Sequence, residues 1–185
     1  HNLIEVSYIF RECSQQFIES GFQCWEFAHS SYEDIANDIS KKYVYLAFIK
    51  KVPVGTISLR PDSSDTSIIN IDRLAIFPHY QRRGFAKNLI DFAITEAGKK
   101  GAKSVRGAVP SHNRMLVKLL EERGFVNIGE VEKMFNEAKG TIFEKILRKH
   151  SGIIFIIFRK KNSHLSLPVL PVLIAVLLPE IQLLV

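Results

Sequence analysis

The segment "IDRLAIFPHYQRRGFAKNLIDFA", residues 71–93, constrains the fold more than any other stretch of this 185-residue chain. A β-type run ending in "LAIF" is stopped by Pro78, which has no N–H for a ladder. An amphipathic helix follows almost at once, with Ala86, Leu89, Ile90, Ala93, Ile94 and Ala97 recurring at helical spacing. Between the two stand Arg82, Arg83, Gly84 and the small Ala86. The first turn of a helix carries about four unpaired N–H groups and a partial positive charge, so it attracts anions. Gly84 lets a ligand approach the backbone there, and Ala86 keeps the next turn slim. The pattern suits a phosphate group.

The flanking pattern sets the class. "YVYLAFI" and "VGTISLRP" read as a hairpin around "KKVP", and "TSIINIDRLAIF" reads as a third strand after the turn "DSSD". The helix runs from about Arg83 to Lys100 and is ended by Gly101. "AKSVRGAV" is then a strand, and Asn113 to Arg123 a second helix with Leu116, Leu119 and Leu120 inward. "FVNIGEVEKMF" and "GTIFEKILR" close the domain as a hairpin. Upstream, residues 3–10 alternate loosely and read as a first strand. Cys13 to Lys42 reads as helical, with Phe17, Phe22, Trp25, Phe27, Ile35 and Ile39 apolar and "SSYED" as a helix start. The expectation is an α/β (α+β) fold, a mixed, mostly antiparallel central sheet flanked by helices.

Charge and cysteines narrow the function. The net charge of +6, from 25 basic and 19 acidic residues, suits an anionic ligand. Its basic clusters are scattered rather than gathered on one face with aromatics, so no nucleic-acid partner is expected. Cys13 and Cys24 fit no metal or disulfide framework. They read as small core residues of a chain in the reducing cytoplasm, with no metal cofactor. "HNLIEVSYIF" has no basic n-region and no cleavage site, so no signal peptide is expected.

"QRRGFA" fits the pattern Gln/Arg-x-x-Gly-x-Gly/Ala, and its strand-before, helix-after setting gives that short pattern its weight. A nucleoside-triphosphate loop would need Lys-Ser/Thr after its glycines, and a dinucleotide fold Gly-x-Gly-x-x-Gly; neither is present. With "HNRMLVKLLEERGF" downstream, residues 40–148 resemble the GNAT family, the Gcn5-related N-acetyltransferases. The resemblance implies acetyl-CoA as co-substrate and an amine as acceptor, joined in a ternary complex. It places the pantetheine arm against Leu74, Ala75 and Ile76, where a bulge splays two strands. It places the pyrophosphate on the loop opened by Gln81, over the N–H groups matching Arg82, Arg83, Gly84, Phe85, Ala86 and Lys87. Asn113 matches an asparagine that contacts the cofactor.

Acetyl transfer needs a neutral amine, a polarised thioester carbonyl and a thiolate able to leave. Backbone N–H groups near Ala75 and Ile76 are the expected oxyanion donors. Asp72 is the candidate general base, on the premise that alternation gives it the same strand face as Leu74; the alternative is a surface carboxylate paired with Arg73 or another cation. Tyr45, Glu33, Asp34 and Asp38 are candidates for the acceptor side. Relatives commonly carry a tyrosine acid in the second helix, and Leu120 occupies that position here. Water, Ser111 or His112 would then protonate the thiolate, and a catalytically silent acyl-CoA-binding module is the alternative reading. The acceptor stays open among a small amine, an amino acid, an antibiotic and a protein N-terminus.

Residues 1–150 form the expected domain, and residues 151–185 an apolar extension of different character. Its longest apolar candidate, Leu165 to Leu178, contains Pro168 and Pro171, so no membrane span is expected. "GIIFIIF" is too apolar to leave in water, which points to packing on its own domain or to a homodimer. The remaining alternative is a fused or read-through end foreign to the domain.

Overall fold

The computed structural model describes residues 3–19, 31–135, 138–147 and 183–184. Two helices come first, α1 (Leu3–Glu19) and α2 (Tyr32–Ser40), followed by three strands: β1 (Val44–Ile49), β2 (Val52–Pro61) and β3 (Ile68–Ile76). A short 3-10 turn at Pro78–Tyr80 leads into α3 (Phe85–Lys99). Then come β4 (Ser104–Pro110), α4 (Arg114–Glu121), β5 (Val126–Phe135), β6 (Ala138–Ile146) and the two-residue β7 (Leu183–Leu184). The sheet order is β5-β6-β4-β3-β2-β1-β7. Among the described residues only β3 and β4 run parallel, and every other neighbouring pair is antiparallel. The mixed sheet flanked by helices agrees with the sequence reading.

The opening segment does not. Residues 3–10 are the start of a helix, not a strand. "LIEVSYIF" satisfies both periods, since Val6 and Phe10 belong to the alternating set and to the helical one. Burial decides between them: Val6, Ile9, Phe10 and Cys13 are buried at helical spacing, while Ile4 and Tyr8 are exposed. A fully buried Val, Ile or Phe side chain contributes about 1.5–3 kcal/mol, so Val6, Ile9 and Phe10 on one stripe outweigh a local strand preference. The "SSYED" start is borne out: Ser31 caps α2 through a capping box with Asp34. Cys24 and the aromatic residues at 22, 25 and 27 lie outside the described residues, as does "GIIFIIF".

Helices cover the sheet on both faces. α3 packs through Leu89, Ile90, Ala93 and Ala97 onto Val54, Ile57, Leu59, Ile69, Ile71 and Val105. On the opposite face α1 and α2 pack through Val6, Ile9, Phe10, Cys13 and Ile35 onto Leu46 and Ala75. β1 shows the alternation plainly, with Tyr45 and Ala47 toward α3 and Leu46 toward α1. Among the described residues, no helix is long and apolar enough to cross a membrane.

Candidate active site in a split between two strands

β3 is uniform along neither edge. Its parallel pairing with β4 covers only Ile68, Ile69 and Asn70. Toward β2 the register jumps: Ser58 stands opposite Asp72, but Thr56 stands opposite Ala75. One residue on β2, Ile57, is therefore matched by two on β3, Arg73 and Leu74, which is a bulge. Arg73 takes the left-handed backbone region, with φ 51°. This conformation is uncommon for a residue with a side chain and has to be held by its surroundings.

Phe77 N–H donates to the Val54 carbonyl at 2.9 Å. Alternation along the strand then gives Ala75 to the β2 ladder and turns Ile76 N–H the other way. On that side the β4 pairing has already ended. Of the two expected oxyanion donors, Ile76 is thus the one that faces the gap. Leu74, at the bulge, packs into the core on the α3 side.

The bulge also corrects the premise for Asp72. With an extra residue in the strand, Asp72 and Leu74 lie on opposite faces. Asp72 sits on the α2 side, where Arg60 donates to its Oδ2 from Nη2 at 2.6 Å and from Nε at 3.0 Å. The cation is Arg60, not Arg73. Arg73 instead donates to Oδ2 of Asp38, a buried carboxylate on α2 that also lies 3.8 Å from Arg60 Nη1. Asp72 remains about one-third exposed. The chain Arg73–Asp38–Arg60–Asp72 alternates in charge and ties α2 to the bulge. The sequence reading missed Arg60 and this link, because residues 38, 60 and 73 are far apart in sequence and their pairing is tertiary.

Eight residues after β3, numbers 77–84, bring the chain to the start of α3. Arg82 and Gly84 both have positive φ, at 61° and 86°. Gly84 is the N-cap and offers no side-chain hydrogen bond to the first turn. The first helical bond runs from Asn88 N–H to the Gly84 carbonyl, so the N–H groups of Phe85, Ala86 and Lys87 precede it. Among the described residues, nothing lies within 4 Å of where a Gly84 Cβ would stand. The space in front of this helix end is open. Arg82, Arg83 and Lys87 are exposed around it, and the Arg83 guanidinium lies 5.6 Å from the Tyr80 ring. Main-chain donors, a helix dipole and three cations therefore converge where an anionic group would sit. Gln81 differs: its side chain turns inward and donates to the Ile76 carbonyl at 3.0 Å.

A parallel pair that opens above a β-bulge, beside an uncapped helix start, can be compared with known proteins. The sequence matches the family described as "Acetyltransferase (GNAT) family" over residues 6–125. The chain belongs to the GNAT acetyltransferases. Its fold is shared with Ard1 of Thermoplasma volcanium (TM-score 0.66, 14% identity, 80% of this chain and 95% of that one). It is shared with a ribosomal-protein-alanine N-acetyltransferase of Brucella melitensis (TM-score 0.64, 15% identity, 79% and 94%). The PaiA N-acetyltransferase of Thermoplasma acidophilum, solved in complex with coenzyme A, is similar too (TM-score 0.63, 21% identity, 79% and 93%). No curated relative matches at the sequence level.

Several residues singled out in the sequence have other roles in this GNAT chain. Asn113 caps α4, its side chain accepting from Leu116 N–H at 3.2 Å. Leu120 is buried in the core beneath α4 and brings no hydroxyl. Ser111 Oγ lies 3.2 Å from Thr141 Oγ1, and His112 is exposed in the same loop. Tyr45 is buried on the α3 face, edge-on to Phe92, and its hydroxyl accepts from Lys100 at the far end of α3 from Gly84. Asp34 is spent on the α2 cap, while Glu33 is exposed in the first turn. Among the described residues no cluster of His, Cys, Asp or Glu is placed to hold a metal ion.

Proposed function

We propose that this protein transfers an acetyl group from acetyl-CoA to a primary amine by direct attack in a ternary complex. The observation that carries the reading is the Ile76 N–H, aimed into the gap between β3 and β4 and followed by the open start of α3. Acetyl-CoA supplies the activated acyl group as a thioester. Arg82, Arg83 and Lys87, with the N–H groups of Phe85 and Ala86, hold its phosphates. The main-chain edge of Leu74 and Ile76 receives its pantetheine arm, and Asn113, besides capping α4, contacts the cofactor. Ile76 N–H donates to the carbonyl oxygen where negative charge develops. Asp72, paired with Arg60, takes the ammonium proton directly or through water. The new N–C bond forms as the C–S bond breaks, and the departing sulfur takes its proton from solvent or the 111–112 loop. A thiol with a pKa of about 8.5 leaves readily, so the missing tyrosine slows this step without forbidding it.

One observation favours a second reading. Leu120 puts an alkyl group where relatives carry the acid, which fits a silent acyl-CoA-binding module. Calorimetry with acetyl-CoA, followed by thiol release with a panel of amines, separates the two. Binding with amine-dependent release supports the transferase. Binding without release for any amine supports the silent module, and no binding removes both. We further assign residues 151–185 to an extension that packs on this domain or a second copy in the cytoplasm. The pairing of Leu183–Leu184 with β1 supports this assignment. Truncation after His150 with unchanged mass in light scattering would count against a dimerising tail.

A further inference from the structure

The Ile76 carbonyl ends β3, and two side chains hold it. Cys13 Sγ of α1 donates to it at 3.1 Å, and Gln81 Nε2 donates at 3.0 Å. The second N–H of the same Gln81 amide goes to Gln16 Oε1 at 2.7 Å. Gln16 lies three residues after Cys13, so both face β3 from one side of α1. An amide can flip, exchanging donor for acceptor. The Ile76 carbonyl and Gln16 Oε1 both demand the donor end, which fixes Gln81 in one orientation. Both of its N–H donors are thereby used within the protein. The opening residue of the phosphate-loop motif thus touches the last residue of the pantetheine strand, not the open space before α3.

We infer that Gln81, oriented by Gln16, is a positioning residue that sets the spacing between the phosphate loop and the β3 edge. The inference rests on the acetyl-CoA reading above. A ligand spanning both anchors needs loop and strand in one fixed relation, whereas a ligand held by the loop alone does not. Gln81→Leu removes both hydrogen bonds that tie the loop to the strand and to α1, so acetyl-CoA affinity should fall about tenfold.

The test compares acetyl-CoA with 3′-phospho-ADP, the fragment that ends at the pyrophosphate, by calorimetry on the full chain. Gln81→Leu should weaken acetyl-CoA about tenfold while changing the fragment less than about twofold. Gln16→Leu, which leaves the loop sequence intact, should show the same selectivity at about threefold. Gln16→Glu keeps the accepting oxygen and should bind both ligands like the parent chain. Equal weakening of both ligands by Gln81→Leu would make Gln81 a phosphate contact and overturn the inference. Unchanged affinity for both would overturn it too. Should Gln81→Leu not fold, the Gln16 pair decides alone, with equal effects of Leu and Glu counting against the proposal. Failure of the parent chain to bind acetyl-CoA would instead overturn the functional reading itself.

Discussion

The lower and upper halves of β3 are held by different means. Ile69 and Asn70 have a strand on each side, with Pro61 and Arg60 along one edge and Val105 and Arg106 along the other. Above the bulge, β3 keeps β2 as a neighbour but has lost β4. Side chains from the helices take over: Asp38 of α2 holds Arg73, and Cys13 of α1 holds the Ile76 carbonyl. A strand whose main chain must serve a ligand cannot spend the same groups on a ladder. Its shape then has to be set from outside the sheet, by polar contacts that are directional and individually removable.

The largest effect should come from removing the buried carboxylate. Asp38→Ala removes the buried carboxylate that holds the largely buried Arg73, and should cost about 3–5 kcal/mol in chemical denaturation. In the lower half, Ile69→Ala should cost about 2–5 kcal/mol through its cavity yet leave acetyl-CoA affinity unchanged in the folded fraction. If both variants lose affinity alike, the two halves are not separately held.

At the helix start, Gly84→Glu should abolish acetyl-CoA binding in a folded protein, a loss of at least about thirtyfold. Gly84→Asn, which tolerates positive φ, should retain most of it and so separates charge from backbone strain. Unchanged affinity in folded Gly84→Glu would remove the phosphate assignment.

Burial pushes the Cys13 thiol up to about 12. A thiol pKa raised by folding contributes stability below the unfolded value, and that stability is lost as pH rises toward the folded one. Stability should therefore fall between about pH 9 and 12, by up to about 1.4 kcal/mol per pH unit. Cys13→Ser, which keeps a donor but does not ionise there, should flatten that limb in denaturant titrations across pH. An unaltered alkaline slope would mean that Cys13 does not govern it.

The smallest stability effect belongs to Asp72, whose partly exposed pair with Arg60 is worth about 1 kcal/mol or less. Asp72→Asn should thus barely move the unfolding midpoint, while slowing turnover and shifting its acid limb. An untouched pH–rate profile would show that Asp72 is not the base.

Much of this was readable in one dimension. Pro78, Gly84 and the apolar face from Leu89 to Ala97 mark a strand, a turn and a helix start, because each local signal has its own mechanism. The α1 segment was misread because its apolar residues fit two periods, and only the neighbour that buries them chooses one. Asp72 was placed on the wrong face because alternation assumes an unbroken strand. A bulge carries no local signature when its special φ falls on an arginine rather than a glycine.

The sequence by itself determined the order of elements from β1 to β6, the glycine-marked start of α3 and the absence of a hydroxyl at position 120. These are properties of consecutive residues, written in hydrogen-bonding capacity, backbone freedom and periodic burial. Only the tertiary structure decided the pairing of Arg73 with Asp38, of Asp72 with Arg60, and of Gln81 with both Ile76 and Gln16. Each joins residues brought together by chain folding. Their partners were chosen by distance and desolvation, quantities that exist only once the helices lie on the sheet.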